Sequence, residues 1–271
     1  MDSQYTTLGY RSNQFEHTYG ENVYLVQNPV AMSLLVKLGH PSTTQPTINR
    51  LVEQLYQILI QEAVSQFFPK TTIDTPTRME SFHEQEGRYR GQVIDSSCQV
   101  VSVNLARAGT LPSYICYDHL HYLIQAENIR QDHFICERQT NSSGEVVGVD
   151  ISGSKIGGEI EDRIVLFPDP MGATGGTLCR AIDAYTHKVQ GHPKAIIALH
   201  LIVTPEYIQR VHTEYPDVKI TALRLDRGLS DPEILASIPG TFPEREVGLN
   251  STQYIVPGAG GLGEILNNAF V

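Results

Sequence analysis

An alternation of short apolar runs with helical segments, beginning near residue 98, is the feature that most constrains the fold of this chain. The runs and segments are, in order, CQVVSVNLA, PSYICYDHLHYLIQA, HFICERQ, RIVLF, GGTLCRAIDAYTHKV, KAIIALHLIV, TPEYIQRVHTEY and VKITALRL. Strands that alternate with helices predict a parallel α/β sheet flanked by helices. The runs at 100–106 and 196–203 are apolar almost throughout, which predicts that helices cover both faces of the sheet.

Outside this region the pattern predicts one long helix and several irregular segments. Between Thr47 and Phe68 the apolar residues recur at helical spacing, so an amphipathic helix should pack one face on the core. Residues 1–22 are predicted to form a polar arm, residues 70–95 an irregular polar segment, and residues 228–250, which contain three prolines, a surface insertion. We treat residues 1–271 as a single domain.

Composition narrows the functional classes. The 271 residues carry a formal net charge of −10, whereas binding a nucleic-acid backbone needs a clustered basic face, so no nucleic-acid partner is expected. No run approaches the ~18 apolar residues of a membrane span, and the first residues lack the order of a secretory signal. We therefore predict a cytoplasmic protein with no membrane partner. The four cysteines lie far apart, which indicates free thiols and no metal site built by the protein.

The most informative stretch is FPDPMGATGGT at 167–177, between the apolar run RIVLF and a predicted helix. In an open parallel sheet, ligands bind beyond the carboxyl ends of the strands, where this loop lies. Glycines there let successive N–H groups point inward at the start of a helix, which makes an anion-binding cradle, and threonines add hydroxyl donors. The residues concerned are Gly172, Thr174, Gly175, Gly176 and Thr177. The pattern favours a phosphate ligand; a glycine-rich turn without a ligand is the alternative.

Asp169 precedes the cradle and needs a different explanation. A phosphate would repel its carboxylate, so we predict that Asp169 accepts hydrogen bonds from sugar hydroxyls or helps to place a metal ion. A phosphate site next to a carboxylate that binds hydroxyls predicts a ribose phosphate as the ligand.

The same loop resembles the phosphoribosyl-pyrophosphate loop of uracil phosphoribosyltransferases, in which Asp-Pro-Met precedes Ala-Thr-Gly-Gly. Further motifs match that family in order and in approximate spacing from about residue 28 onward. They are Arg107-Ala108-Gly109, Arg138 at the end of HFICER, Thr204-Pro205-Glu206, Tyr215-Pro216-Asp217-Val218, Asp226-x-Gly228-Leu229 and Tyr254-Ile255-Val256-Pro257-Gly258. On these motifs the chain is similar to the uracil phosphoribosyltransferase family.

The resemblance implies a fold, a reaction and an assembly. The fold is a type I phosphoribosyltransferase-like sheet with a hood formed by the N- and C-terminal segments. The reaction transfers ribose 5-phosphate from phosphoribosyl pyrophosphate (PRPP) to uracil, giving UMP and pyrophosphate in pyrimidine salvage. The resemblance further implies Mg²⁺ as a cofactor, bound mainly through the substrate pyrophosphate, and a homodimer or a higher homo-oligomer.

The resemblance also assigns roles to residues. The implied catalytic residues are Asp169, Arg107 and Arg138, and the two arginines would hold the pyrophosphate through charge-assisted hydrogen bonds. The implied PRPP-binding residues are Arg107, Arg138, Asp169, Pro170, Met171, Gly172, Ala173, Thr174, Gly175, Gly176 and Thr177. The implied uracil-binding residues, which would read the base through main-chain groups, are Ile255, Gly260, Gly261 and Leu262.

The C-terminal segment departs from the family pattern. The family has an Asp at the position of Gly261, where it contacts the phosphoribosyl substrate, a second Asp at the position of Glu264 and a basic residue at that of Ile265. Loss of the first carboxylate predicts slow turnover with uracil, unless another side chain supplies it. Two alternatives therefore stay open: a nucleotide-binding regulatory protein with weak or no turnover, and a phosphoribosyltransferase for another base.

Overall fold

The computed structural model describes residues 2–140 and 146–269, and a mostly parallel β-sheet is at its centre. The strands of this sheet are β1 (Val23–Leu25), β4 (Val100–Ala106), β5 (Ile129–Thr140), β6 (Val146–Lys155), β7 (Ile164–Pro168), β8 (Met171–Gly172), β9 (Ala195–Val203) and β10 (Lys219–Leu225). They are ordered β1-β10-β9-β7-β4-β5-β6, with β8 also beside β9. Strand β6 runs antiparallel to β5, whereas the other pairs run parallel.

Helices cover both faces of the sheet, as the apolar strands predict. The helices are α1 (Pro29–Leu38), α2 (Thr47–Phe67), α3 (Thr110–Leu120), α4 (Gly176–Lys188), α5 (Pro205–Glu214), α6 (Pro232–Leu235) and α7 (Leu262–Ile265). Helices α1, α2 and α3 pack with alternate strand residues into one core cluster. Helices α4 and α5 pack with the intervening strand residues into a second cluster on the opposite face. The predicted fold class, an α/β sheet flanked by helices, is confirmed.

Two helix predictions are confirmed closely. Helix α2 begins at Thr47 and ends at Phe67, and its buried residues follow the helical spacing of the sequence. Its Tyr56 is fully buried and donates a hydrogen bond from its hydroxyl to the carbonyl of Leu199 on β9, at 3.1 Å. Helix α5 has Thr204 as its N-cap, because Thr204 Oγ1 accepts a hydrogen bond from the Tyr207 N–H at 3.0 Å, the usual function of a threonine at that position.

The prediction of an irregular segment at 70–95 was wrong. Strand β2 (Lys70–Pro76) pairs antiparallel with strand β3 (Arg88–Ile94), forming a hairpin outside the main sheet. Most of its side chains are exposed or only half-buried. The two strands therefore need not alternate between apolar and polar residues, which is the pattern by which strands are recognised in a sequence. Ion pairs from Asp74 to Arg88 and to Arg90, at 2.6 and 3.0 Å, cross this hairpin instead.

The segment 228–250, predicted as a surface insertion, contains α6 and a short 3-10 turn, Pro243–Arg245. Buried charges attach it to the rest of the chain. Arg227 Nη1 lies 2.7 Å from Glu246 Oε1, and Glu246, only 3% exposed, also accepts a hydrogen bond from the Tyr19 hydroxyl. Arg227, two residues after β10, is therefore joined to this segment by an ion pair, and a hydrogen bond joins the segment to Tyr19.

The chain around α1 and α2 also contacts the C-terminal segment. A side chain at Gly39, just after α1, would approach the Gly258 carbonyl at 3.3 Å, and Gln45 Nε2 donates to the Ile265 carbonyl at 3.0 Å. The N-terminal helical region and the C-terminal segment thus close together over one edge of the sheet.

Candidate active site

Three loops meet where the central parallel strands end. They are the turn after β4 (Arg107–Gly109), the loop after β7 (Asp169–Gly175) and the C-terminal segment from Tyr254 to Ile265. Two close approaches show the contact. A Cβ on Gly109 would lie 3.0 Å from the Pro168 carbonyl oxygen, and a Cβ on Gly263 would lie 3.4 Å from the Ala108 Cβ. The fold therefore brings the predicted phosphate, pyrophosphate and base segments to one edge.

The loop after β7 has the geometry of an anion cradle. Gly175 has a φ of +76°, a left-handed conformation that glycine adopts without strain, and Gly176 begins the 13-residue helix α4. The first N–H groups of an α-helix have no partner within the helix and form the positive end of its dipole. Thr174 Oγ1 accepts from the Gly176 N–H at 3.4 Å, so this threonine also faces the turn.

Neighbouring elements fix the position of the cradle. The Thr204 N–H donates to the Gly172 carbonyl at 3.1 Å, and its hydroxyl donates to the Ala173 carbonyl at 2.6 Å. A Cβ on Gly172 would lie 2.8 Å from Val203 Cγ1, so the loop runs too close to β9 for a larger residue. The Thr-Pro-Glu motif identified in the sequence thus supports the cradle from the next strand.

Asp169 lies at the junction between β7 and the cradle. Its Oδ1 accepts from the Met171 N–H at 3.0 Å, and its carbonyl lies 2.6 Å from His200 Nδ1. A carbonyl only accepts, so Nδ1 carries the proton, and Nε2 accepts from the Tyr207 hydroxyl at 2.5 Å. Burial lowers the pKa of His200 from 6.5 to about 4, which keeps the imidazole neutral under the junction.

His200 was not found by sequence reasoning. It lies within an apolar strand, and its pattern is that of an ordinary core residue. The signal in the sequence is that His200 is the one polar residue within the apolar run IIALHLIV. In the structure the preceding residue, Leu199, also contacts Asp169, because its carbonyl accepts from the Asp169 N–H at 3.1 Å.

Of the two arginines predicted to bind pyrophosphate, the structure describes the side chain of Arg107 but not that of Arg138. Arg107 is exposed, and its Nη1 donates to the Ala269 carbonyl at 2.7 Å, so it is in contact with the C-terminal residues. Arg138 lies on β5, with its backbone opposite Val149 of β6, but its side chain lies outside the described residues. Arg210, not singled out from the sequence, also lies near the cradle: a Cβ on Gly176 would be 3.1 Å from its Nη1.

The C-terminal segment offers main-chain donors. Within residues 2–140 and 146–269 the N–H groups of Ala259, Gly260 and Gly261 have no protein acceptor. Of the predicted uracil-binding residues, Ile255 and Leu262 are buried, whereas Gly260, with a φ of +75°, is exposed. Buried side chains therefore anchor the segment, while Gly260 is exposed and the N–H groups of Gly260 and Gly261 have no acceptor among the described residues.

An ion pair at the end of β10 holds the C-terminal segment. This contact was not predicted from the sequence. Arg224 Nε and Nη2 lie 2.6 and 2.7 Å from the two carboxylate oxygens of Asp226. Asp226, 2% exposed, also accepts from the Gly258 N–H at 2.7 Å, and Arg224 Nη2 donates to the Gly258 carbonyl at 3.0 Å. Both backbone groups of Gly258 are thus bound by one buried pair.

Comparison with known proteins agrees with this arrangement. The family model for uracil phosphoribosyltransferase matches residues 25–245. A uracil phosphoribosyltransferase from Pyrobaculum islandicum is 28% identical over 218 residues, covering 80% of this chain and 94% of the relative. One from Saccharomyces cerevisiae is 26% identical over 227 residues, with 83% and 95% covered. The solved structure of the AQ2163 protein from Aquifex aeolicus superposes with a TM-score of 0.67 at 21% identity, covering 92% of this chain and 99% of that one.

The mostly parallel sheet and the three loops at its edge define a phosphoribosyltransferase of the type I fold. The family match covers most of the chain, from residue 25 at the end of β1 to residue 245 at the end of the 3-10 turn. The chain belongs to the uracil phosphoribosyltransferase family.

Proposed function

We propose that the protein transfers ribose 5-phosphate from PRPP to N1 of uracil, giving UMP and pyrophosphate in pyrimidine salvage. The observation that carries this proposal is the meeting of the cradle, the Arg107 turn and the C-terminal backbone at one edge of the sheet. A phosphate site, a pyrophosphate site and a base site in contact match the three parts that the reaction must align.

The cradle would bind the 5′-phosphate. The N–H groups at the start of α4 and the hydroxyls of Thr174 and Thr177 are donors, and Asp169, lying just before the cradle, would accept from the ribose hydroxyls. These contacts are remote from the reacting carbon. Their binding energy serves to place that carbon against the base.

Arg107 would bind the pyrophosphate, together with Arg138. Arg107 is exposed and bonded to a neutral carbonyl, which a pyrophosphate oxygen would replace with a stronger, charge-assisted hydrogen bond. Asp169 offers one carboxylate beside the cradle, which fits a Mg²⁺ ion bound mainly through substrate oxygens. When bound, the ion would neutralise charge on the departing pyrophosphate.

The chemistry needs no covalent bond to the protein. The bond from C1 of the ribose to the pyrophosphate oxygen breaks, the pyrophosphate keeps the electron pair, and uracil N1 forms the new bond to C1 as its proton is released to solvent. The transition state has oxocarbenium character, so the protein contributes alignment and stabilisation of the departing negative charge. The N–H groups at 259–261, which have no protein acceptor among residues 2–140 and 146–269, suit the recognition of a carbonyl-bearing base.

The family match favours an enzyme over a nucleotide-binding regulator, and the names of the relatives favour uracil over another base. A homodimer or higher homo-oligomer and a cytoplasmic location are further parts of this proposal, drawn from the resemblance. No helix in the described ranges is long and apolar enough to cross a membrane.

The proposal is tested by following pyrophosphate release from PRPP and Mg²⁺ in the presence of uracil, other pyrimidines and purine bases in turn. We expect release that depends on uracil and exceeds that with every other base. Release that depends on another base would assign a different substrate. A protein that binds UMP but releases no pyrophosphate with any base would instead be the regulator.

A further inference from the structure

The Glu264 side chain folds back over Gly261 at the start of α7. A Cβ on Gly261 would lie 3.2 Å from Glu264 Cδ and closer still to Oε2. The φ of Gly261 is −78°, a value that other residues adopt, so the backbone conformation alone does not require glycine there. The Glu264 carboxylate occupies the space that a side chain at position 261 would enter, so an acid at 261 would fit only if the Glu264 side chain turned away.

The Glu264 carboxylate is free to accept a hydrogen bond from a ligand. Among residues 2–140 and 146–269 it has neither a hydrogen-bond donor nor an ion-pair partner. Gly263, the residue before Glu264, approaches Ala108, and Ala269 accepts a hydrogen bond from Arg107. Glu264 therefore belongs to the part of the chain that contacts the Arg107 turn, and its carboxylate lies next to Gly261. An ionised carboxylate can only accept hydrogen bonds, and of the groups expected between a pyrophosphate and a base, the ribose hydroxyls are donors.

We infer that Glu264 is a substrate-binding residue, which supplies from three positions along the chain the carboxylate that position 261 lacks and accepts a hydrogen bond from a ribose hydroxyl of PRPP. This inference rests on the proposed function. It accounts for Gly261 and Glu264 together: the Glu264 carboxylate lies where a side chain at 261 would begin, so an acid at 264 takes the place of the acid at 261.

Calorimetric titration of Glu264→Gln with PRPP, and separately with inorganic pyrophosphate, tests the inference, with Mg²⁺ present in both. The neutral amide has nearly the same shape but loses the charge-assisted bond, so PRPP affinity should fall roughly tenfold to a hundredfold. Pyrophosphate affinity should not change, because the arginine contacts remain. The matched control Glu244→Gln removes a charge from an exposed glutamate of the 243–245 turn and should titrate as the wild type does.

A second experiment moves the acid from position 264 to position 261. Gly261→Asp alone should not improve PRPP binding, because the new side chain overlaps the Glu264 carboxylate. The double variant Gly261→Asp/Glu264→Ala should recover most of the affinity lost in Glu264→Ala, since it places one acid in the same space. A gain in Gly261→Asp alone, with no loss in Glu264→Gln, would show that the carboxylate is missing rather than supplied by Glu264.

Three other outcomes overturn the inference. If Glu264→Gln binds PRPP as tightly as the wild type does, the carboxylate has no role in binding. If its affinity for pyrophosphate falls as much as its affinity for PRPP, Glu264 is a structural residue of α7. In both cases the wild type still binds PRPP and releases pyrophosphate with uracil, so the proposed function survives. If the wild type binds no PRPP, both fail.

Discussion

His200 shows how one buried side chain can hold the start of the loop after β7. Its Nδ1–H donates to the Asp169 carbonyl and its Nε2 accepts from Tyr207, so each nitrogen has the partner that the neutral imidazole needs. Protonation would place a second N–H against the Tyr207 hydroxyl in a site that is 2% exposed. Stability should therefore depend on the protonation of this residue.

The first prediction concerns pH. Because the pKa of His200 is about 4 in the folded protein and 6.5 in the unfolded chain, the unfolded state binds more protons between these values, and stability rises with pH there. The contribution is complete above pH 6.5 and is lost as pH falls towards 4, by about 3 kcal/mol. Urea unfolding at several pH values should show this slope in the wild type, and a smaller slope in His200→Gln. Parallel slopes would contradict the buried neutral imidazole.

The second prediction concerns Arg107. Arg107→Ala should lower PRPP affinity roughly tenfold to a hundredfold, because charge-assisted hydrogen bonds to the pyrophosphate are lost. UMP has no pyrophosphate, so its affinity should change little. Calorimetry with both ligands measures the difference, and Arg90→Ala, in the β2–β3 hairpin, is the control. Equal losses for PRPP and UMP would reject a role at the pyrophosphate.

The secondary-structure elements that could be predicted are those specified by a pattern within their own stretch of sequence. The period of apolar residues specified α2, the Thr204-Pro205 pair specified the start of α5, and the glycines of 172–176 specified the turn into α4. The β2–β3 hairpin was missed because exposed strands need no apolar alternation. The contacts of His200 and of Glu264 depend on residues brought together by the fold, so the sequence pattern did not reveal them.

The third prediction concerns the turn into α4. Gly175→Val places a branched side chain at a φ of +76°, 3.3 Å from Val211 Cγ2, so the turn must change shape and the cradle should be lost. UMP binding, measured by calorimetry in a variant whose circular dichroism matches the wild type, should become undetectable. Gly9→Val is the control, since nothing lies within 4 Å of a Cβ there. Unchanged UMP affinity in the folded Gly175→Val variant would place the phosphate elsewhere.

Across the molecule, long-range polar contacts join the chain ends to the sheet edge. Gln45 bonds Ile265, Arg107 bonds Ala269, and the Arg224–Asp226 pair binds both backbone groups of Gly258. Glu206 Oε1 accepts from the N–H groups of Gly248 and Leu249, at 2.9 and 3.2 Å. The C-terminal segment is therefore held by Gln45 and by charged side chains at or just after the ends of β4 and β10, and Glu206 of α5 holds the residues that precede it. We expect the position of the segment to depend on these contacts.

The fourth prediction tests that dependence. Asp226→Ala leaves Arg224 without its carboxylate in a largely buried site, which typically costs about 3–5 kcal/mol, and it also frees Gly258. Urea unfolding should show this loss, with weaker UMP binding where the variant remains folded. Asp231→Ala is the control, because its pair with Arg245 is exposed and should contribute no more than ~1 kcal/mol. Equal stability of the two variants would show that the buried pair does not hold the segment.

The decisive measurement is the stoichiometry of products formed by the unmodified protein from PRPP, Mg²⁺ and isotopically labelled uracil. Phosphoribosyl transfer at the proposed site predicts one UMP, linked through N1 of the base, for each pyrophosphate released, and no products from Gly175→Val. Pyrophosphate released without UMP would mean that water replaces the base at C1. Neither product, from a protein that binds UMP in the same sample, would contradict the assignment of this sheet edge as the active site of a uracil phosphoribosyltransferase.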